Sequence, residues 1–232
     1  MRPLALFGVL YVVFTQIVRL GGDVELYPVA LLLGIVCFTF FSEATGGAVT
    51  SLVDREALIR KVEFPRLAVP LATVLTALFN VVLNLGAVIV FLLIAGGRVR
   101  LSWLELPFLV AALALFAAGA GMLLSALFVR YRDLKPIWEV ALQMLFYGSP
   151  IFYPIDSVIE RSELAAKLML LNPFAAVLQQ ARHALIAPSH PSAAEVLGSD
   201  VLLLAPIAIA AAVIALGFGV FSRRAPRIAE QL

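Results

Sequence analysis

Cysteine is nearly absent from this chain, and charge is scarce. One cysteine, Cys37, occurs in 232 residues, which excludes an intrachain disulfide. Histidine occurs twice, as His183 and His190, with no further ligand at metal-binding spacing, so no metal site is expected. No cluster of His, Cys and Glu and no nucleophile with a neighbouring base is visible, so no catalytic residues are assigned. A GxxxxGK[ST] phosphate loop is missing too, which rules out ATP binding by that route. Charged residues make up 14% of the chain, against roughly a quarter in a soluble domain. The net charge of +2 is too small to indicate nucleic acid as a partner. The opening run, Met1 to Val18, lacks a small-residue cleavage site and reads as a retained span.

What the chain does have is apolar length. Hydrophobic residues account for 62%, the mark of a polytopic membrane protein. At roughly 20 residues per crossing, six helices are expected near Pro3–Leu20, Tyr27–Thr50, Leu67–Ala95, Leu106–Val129, Pro136–Tyr153 and Val201–Phe221. An even number places both termini on one side. That side collects most of the basic residues (Arg2, Arg55, Arg60, Lys61, Arg66, Arg130, Arg132, Lys135 and the arginines after Phe221), so it is read as cytoplasmic. In the RYRDLK turn, Arg130, Arg132, Asp133 and Lys135 read as orientation charges with an Arg–Asp pair.

The fifth span is interrupted, because Gly148, Pro150 and Pro154 break helix geometry. After it, Ile155 to Asp200 is neither a span nor a plain loop. There Asn172 and Pro173 read as an N-cap and first helical position. Gln179, Gln180, Arg182 and His183 make that helix too polar and short to cross, so short amphipathic helices on the outer face are expected. Ala117, Gly121 and Ser125 place small residues at every fourth position, a close-packing helix face. The fold class is thus all-α: six transmembrane helices in one domain over 1–232, with short helices at both surfaces.

A charged island, Ser51 to Pro70, separates the second and third apolar runs. Asp54, Arg55, Glu56, Arg60, Lys61, Glu63 and Arg66 cannot lie in hydrocarbon. Leu52, Ile59 and Val62 can share one side of a short helix while the charges face water. Mixed signs suit a protein partner better than an anionic lipid surface, where a purely basic run is expected.

Three stretches together resemble the ABC-2 family of transporter permeases, and within it the O-antigen and teichoic-acid exporters. They are DREALIRKVEFPRLAVPLATVLTALFN (Asp54–Asn80), RYRDLKPIWEVALQMLFYGSPIFYP (Arg130–Pro154) and LNPFAAVLQQARHAL (Leu171–Leu185). The resemblance implies a six-helix permease in the bacterial cytoplasmic membrane that dimerises and binds a separate ATPase subunit. ATP and Mg would then belong to that partner, with no cofactor in this chain. It also implies export of a lipid-linked glycan. The island corresponds to the family's coupling helix, which makes Asp54, Arg55, Glu56, Leu58, Ile59, Arg60, Lys61, Glu63, Phe64, Pro65 and Arg66 the expected ATPase contact. Such permeases usually open with a cytoplasmic amphipathic helix, and here Met1-Arg2-Pro3 stands almost inside the first span. That helix is missing from this sequence, and the expectation is either a true start upstream of Met1 or a truncated copy.

Four residues are candidates for the substrate path. Glu43 is an ionisable group in a span, costly there and functional by default, although near the interface it can also reach headgroup water. Tyr147, Phe152 and Tyr153 lie where the prolines interrupt the fifth helix, and flat rings suit the C–H faces of sugars. Rival expectations are an exporter of a drug or small lipid, an ATP-independent secondary transporter, or an intramembrane transferase. The last two should show midplane ionisable groups or a carboxylate cluster.

Overall fold

The structure is a computed structural model that describes residues 8–9, 26–57, 65–199 and 201–231. Helices α1 (Tyr27–Asp54), α2 (Ala68–Ile94), α3 (Glu105–Phe128) and α4 (Leu134–Gly148) come first, with a 3-10 turn at Leu101–Leu104 before α3. Short helices α5 (Ile155–Ile159), α6 (Glu163–Leu170), α7 (Pro173–Leu185) and α8 (Ala193–Leu197) follow, and α9 (Leu204–Gln231) ends the chain. No strand occurs among the described residues.

Among the described residues, four helical segments are long and apolar enough to cross a membrane: Tyr27–Asp54, Ala68–Ile94, Leu101–Phe128 and Leu204–Ala225. The span expected at Pro3–Leu20 lies outside the described residues. The expected fifth span is shorter than 136–153. Helix α4 has 15 residues, about 22 Å at 1.5 Å per residue, less than a hydrocarbon core of roughly 30 Å. It ends at Gly148, two residues before Pro150, which cannot supply the next helical N–H. At its other end α1 runs past Thr50 to Asp54, because Leu52 is fully buried and holds that turn in the core.

The contacts divide the chain into two compact units. The first comprises residues 1–39, 81–113 and 146–209; the second comprises 40–80, 114–145 and 210–232. In the first unit, Ile155, Ala166, Leu170, Ala175, Ala176, Val196 and Leu197 form the core of the short-helix region. Caps fix that region. Asn172 Oδ1 accepts the Phe174 N–H at 3.0 Å, with Pro173 at the first helical turn, as its sequence leads one to expect. Ser192 and Glu195 form a reciprocal capping box. Gly198, at φ 77°, closes α8 in the left-handed conformation.

In the second unit, Leu52, Val69, Met122, Ala126, Val129 and Phe221 make one cluster. Val49, Leu124 and Phe128 make another, with Trp138 packed against it. Helix α3 meets α1 at Gly121, where a Cβ would lie 2.9 Å from that of Ala48; Ala117 and Ser125 on the same face are fully buried. The Trp138 indole donates to Thr45 Oγ1 at 3.1 Å, and Phe41 stacks on Phe116 with ring centroids 5.3 Å apart.

Candidate functional site

The break after α4 organises the first unit's polar chemistry. A chain that stops being helical leaves carbonyls without intrahelical partners, and Ser149 to Pro154 is such a stretch. Two side chains answer it. Tyr27 donates its hydroxyl to the Phe152 carbonyl at 2.6 Å. Arg182, from α7, donates Nη2 to the Ile151 carbonyl at 2.7 Å and to the Ala30 carbonyl of α1 at 3.3 Å. Gly34 makes room for this contact, since a Cβ there would lie 3.1 Å from the Ile151 oxygen and 3.2 Å from Arg182 Nη2.

Arg182 is 4% exposed. Burial pulls its guanidinium down to about 10, which leaves it charged at neutral pH. Among the described residues, the ionisable groups around it are Cys37, Tyr27 and Tyr153, with no carboxylate to balance it. A buried cation held only by carbonyls is costly in a low-dielectric setting. In the sequence, Arg182 reads only as a polar residue that keeps α7 from crossing. The signal lay in its company, because Gln179 and Arg182 stand three apart on a helix whose other buried residues are apolar.

Tyr147, Phe152 and Tyr153 do come together. Phe152 packs edge-on to Tyr153 with centroids 4.9 Å apart and to Tyr147 at 6.0 Å. Phe146 extends the group to Phe38, at 4.8 Å, and Phe38 reaches buried Phe174 of α7. The Tyr153 hydroxyl lies 3.2 Å from the Tyr147 carbonyl and 3.6 Å from Met169 Sδ. Tyr147 is the open end, 66% exposed, while Phe146, Phe152 and Tyr153 are half-buried. Glu43 belongs to the second unit, exposed on α1.

Of the charged island, Asp54 and Arg55 are exposed and Glu56 is half-buried, and Pro65 is exposed. Leu58, Ile59, Arg60, Lys61, Glu63 and Phe64 lie outside the described residues. Arg66 donates to the Ala225 carbonyl of α9, so the island's end is tied to the last helix. The turn after α3 corrects one expectation, because neither arginine pairs with Asp133. Arg132 lies over the Phe128 ring at 5.3 Å and Arg130 over the Tyr131 ring at 5.5 Å. Cation–π contact satisfies these exposed guanidinium groups without fixing a carboxylate. The described residues hold no group of three or more metal-ligating side chains.

Long apolar helices, a broken helix and short capped helices after it define a helical membrane domain. The model of the ABC-2 type transporter family matches residues 1–186, and the chain belongs to that family. It is similar to the O-antigen export system permease protein RfbA of Klebsiella pneumoniae, 25% identical over 178 residues, 76% of this chain and 67% of that protein. The permease of the same name from Myxococcus xanthus is 30% identical over 166 residues, 71% of this chain and 62% of its own length.

Proposed function

We propose that this chain is the transmembrane subunit of an ATP-driven exporter that carries a lipid-linked polysaccharide out across the bacterial cytoplasmic membrane. The observation that carries the reading is the family match over residues 1–186, joined by the O-antigen export permeases among its relatives. The aromatic group at the α4 break supports the cargo class. Its half-buried rings offer flat apolar faces, which suits a sugar chain that must slide.

In this reading the polypeptide crosses six times, with α4 and the break forming the fifth crossing and both termini cytoplasmic. Asp54 to Arg66 docks in a cleft of a separate ATPase subunit, which binds ATP and Mg. Two permeases and two ATPases make the working unit, since one island serves one ATPase. Apolar side chains exposed on α2, α3 and α9, such as Phe79, Phe108 and Phe218, face lipid or the second copy. ATP closure of the partners pulls on the islands, and the spans move to admit the glycan.

The test is deletion of the gene in its native host, complemented by the chain with its neighbouring ATPase. Surface polysaccharide should vanish on deletion and return only when both genes are restored. Normal surface glycan in the deletion strain, with a new sensitivity to amphiphilic drugs, would overturn the cargo and favour a drug or small-lipid exporter.

A further inference from the structure

Beneath the α4 break lies a small cavity of about 10 Å³, lined among others by Tyr27, Tyr153, Pro154, Gln179, Arg182 and His190. Of these six, only Tyr153 and Pro154 are partly exposed; the rest are buried, so the mouth lies at Tyr153–Pro154. The space suits one water-sized oxygen. Two of the walls carry polar atoms with no protein partner. Arg182 Nε has none, although Nη2 is used. Gln179 is 1% exposed; its Nε2 donates to the Pro191 carbonyl at 2.7 Å, but its Oε1 has no donor. The two residues stand at i and i+3 on α7 and so share a side.

A donor and an acceptor together select the occupant. The Nε–H needs an acceptor and Oε1 needs a donor, and a hydroxyl is both at once. Carboxylate and phosphate oxygens would accept from Arg182 but oppose the Gln179 oxygen. An ammonium group would meet the buried guanidinium. We propose that this cavity is a subsite for one hydroxyl of a pyranose ring, whose apolar face rests on Tyr153 and Pro154 at the mouth. The assignment rests on the glycan reading and deepens it: the aromatic group supplies sliding contact, and this pair supplies a directional one. A hydrogen bond from a charged donor is stronger than a neutral one, so the pocket gives the sugar chain a preferred register at this point.

The experiment uses the permease–ATPase complex in lipid nanodiscs, irradiated with diazirine-bearing N-acetylglucosamine, mannose or galactose and mapped by peptide mass spectrometry. At least one probe should label the peptide holding Tyr153 and Pro154. The unlabelled sugar should displace that label, and one of its monodeoxy analogues should compete at least fivefold less well than the others. In Gln179→Leu, which also loses the bond to the Pro191 carbonyl and should melt lower, the label on the folded fraction should fall at least fivefold. Absence of displaceable label with all three probes, or equal competition by every monodeoxy analogue, overturns the subsite; a cavity that holds only water gives that result. The competition series needs no variant, so a poorly folding Gln179→Leu does not blunt it. Failure here, while deletion of the gene still abolishes surface glycan, removes the subsite alone, whereas normal surface glycan in the deletion strain removes the reading beneath it.

Discussion

Gly217 of α9 sits against the backbone of Gly119 of α3, so close that neither position has room for a side chain. A Cβ on Gly119 would lie 2.7 Å from the Ile214 Cα, and one on Gly217 would collide with the Gly119 carbonyl. Without a hydrophobic drive between helices in lipid, such backbone-to-backbone contact is what holds them together. Gly217→Ala should therefore force α3 and α9 apart at an overpacking cost of about 1–3 kcal/mol. The drop should appear as a lower melting midpoint in detergent, whereas Gly219→Ala, with open space at its Cβ, should leave the midpoint unchanged.

Arg182→Met should destabilise the first unit. It leaves the Ile151 carbonyl buried without its guanidinium donor, and an orphaned buried acceptor costs about 1–3 kcal/mol. Chemical denaturation of the purified protein should register that loss. Arg182→Lys should recover part of it, since an ammonium keeps the charge but not the fork. Equal stability of all three proteins would show that the guanidinium does not hold the break.

Tyr147→Ala is the cleaner probe of the aromatic group. Its ring is largely exposed, so removal should lower glycan export several-fold without changing the melting midpoint. Phe152→Ala with Tyr153→Ala should lower export as well, but these rings also pack against neighbours, and some stability should go with them. Full export by a folded Tyr147→Ala protein would place that ring outside the path.

Cysteines introduced at Ile59 or Glu63 should crosslink to cysteines in the cleft of the ATPase. The native Cys37 is buried and should not compete for the reagent. Positions that stay freely reactive in the assembled complex would count against docking through the island.

The Glu195–Ser192 capping box predicts a local response to acid. The Ser192 N–H donates to the Glu195 carboxylate and holds it below the usual carboxylate range. A depressed folded value means that the stabilisation is present above the unfolded pKa of roughly 4.3. It is lost as pH falls through the lower folded value. Hydrogen exchange in α8 should therefore accelerate below about pH 4, once corrected for the intrinsic rate, and Ser192→Ala should show fast exchange even at neutral pH.

Local chemistry was readable from residue order, and helix partnership was not. The break at Gly148 and Pro150 and the cap at Asn172 follow from what proline and asparagine do to their own backbone. The apolar runs of α1, α2, α3 and α9 follow from length alone. By contrast, Gly119 looks like any glycine in an apolar helix until Gly217 is seen opposite, and sequence spacing pairs neither. Arg182 looked like a surface residue because arginines usually are; the carbonyls it serves lie 31 and 152 positions away. The RYRDLK turn reads as holding an Arg–Asp pair, while Arg132 instead lies over the Phe128 ring four residues back.

The guanidinium of Arg182, without a carboxylate beside it among the described residues, also makes the Tyr153–Pro154 surface electrically selective. A fixed positive charge repels another cation at 4 Å by up to about 4 kcal/mol at an effective dielectric of 20. Polyamines and quaternary-ammonium amphiphiles brought to this surface would meet that barrier, and neutral sugars would not. Screening by salt reaches buried charges poorly, so the discrimination should persist at physiological ionic strength.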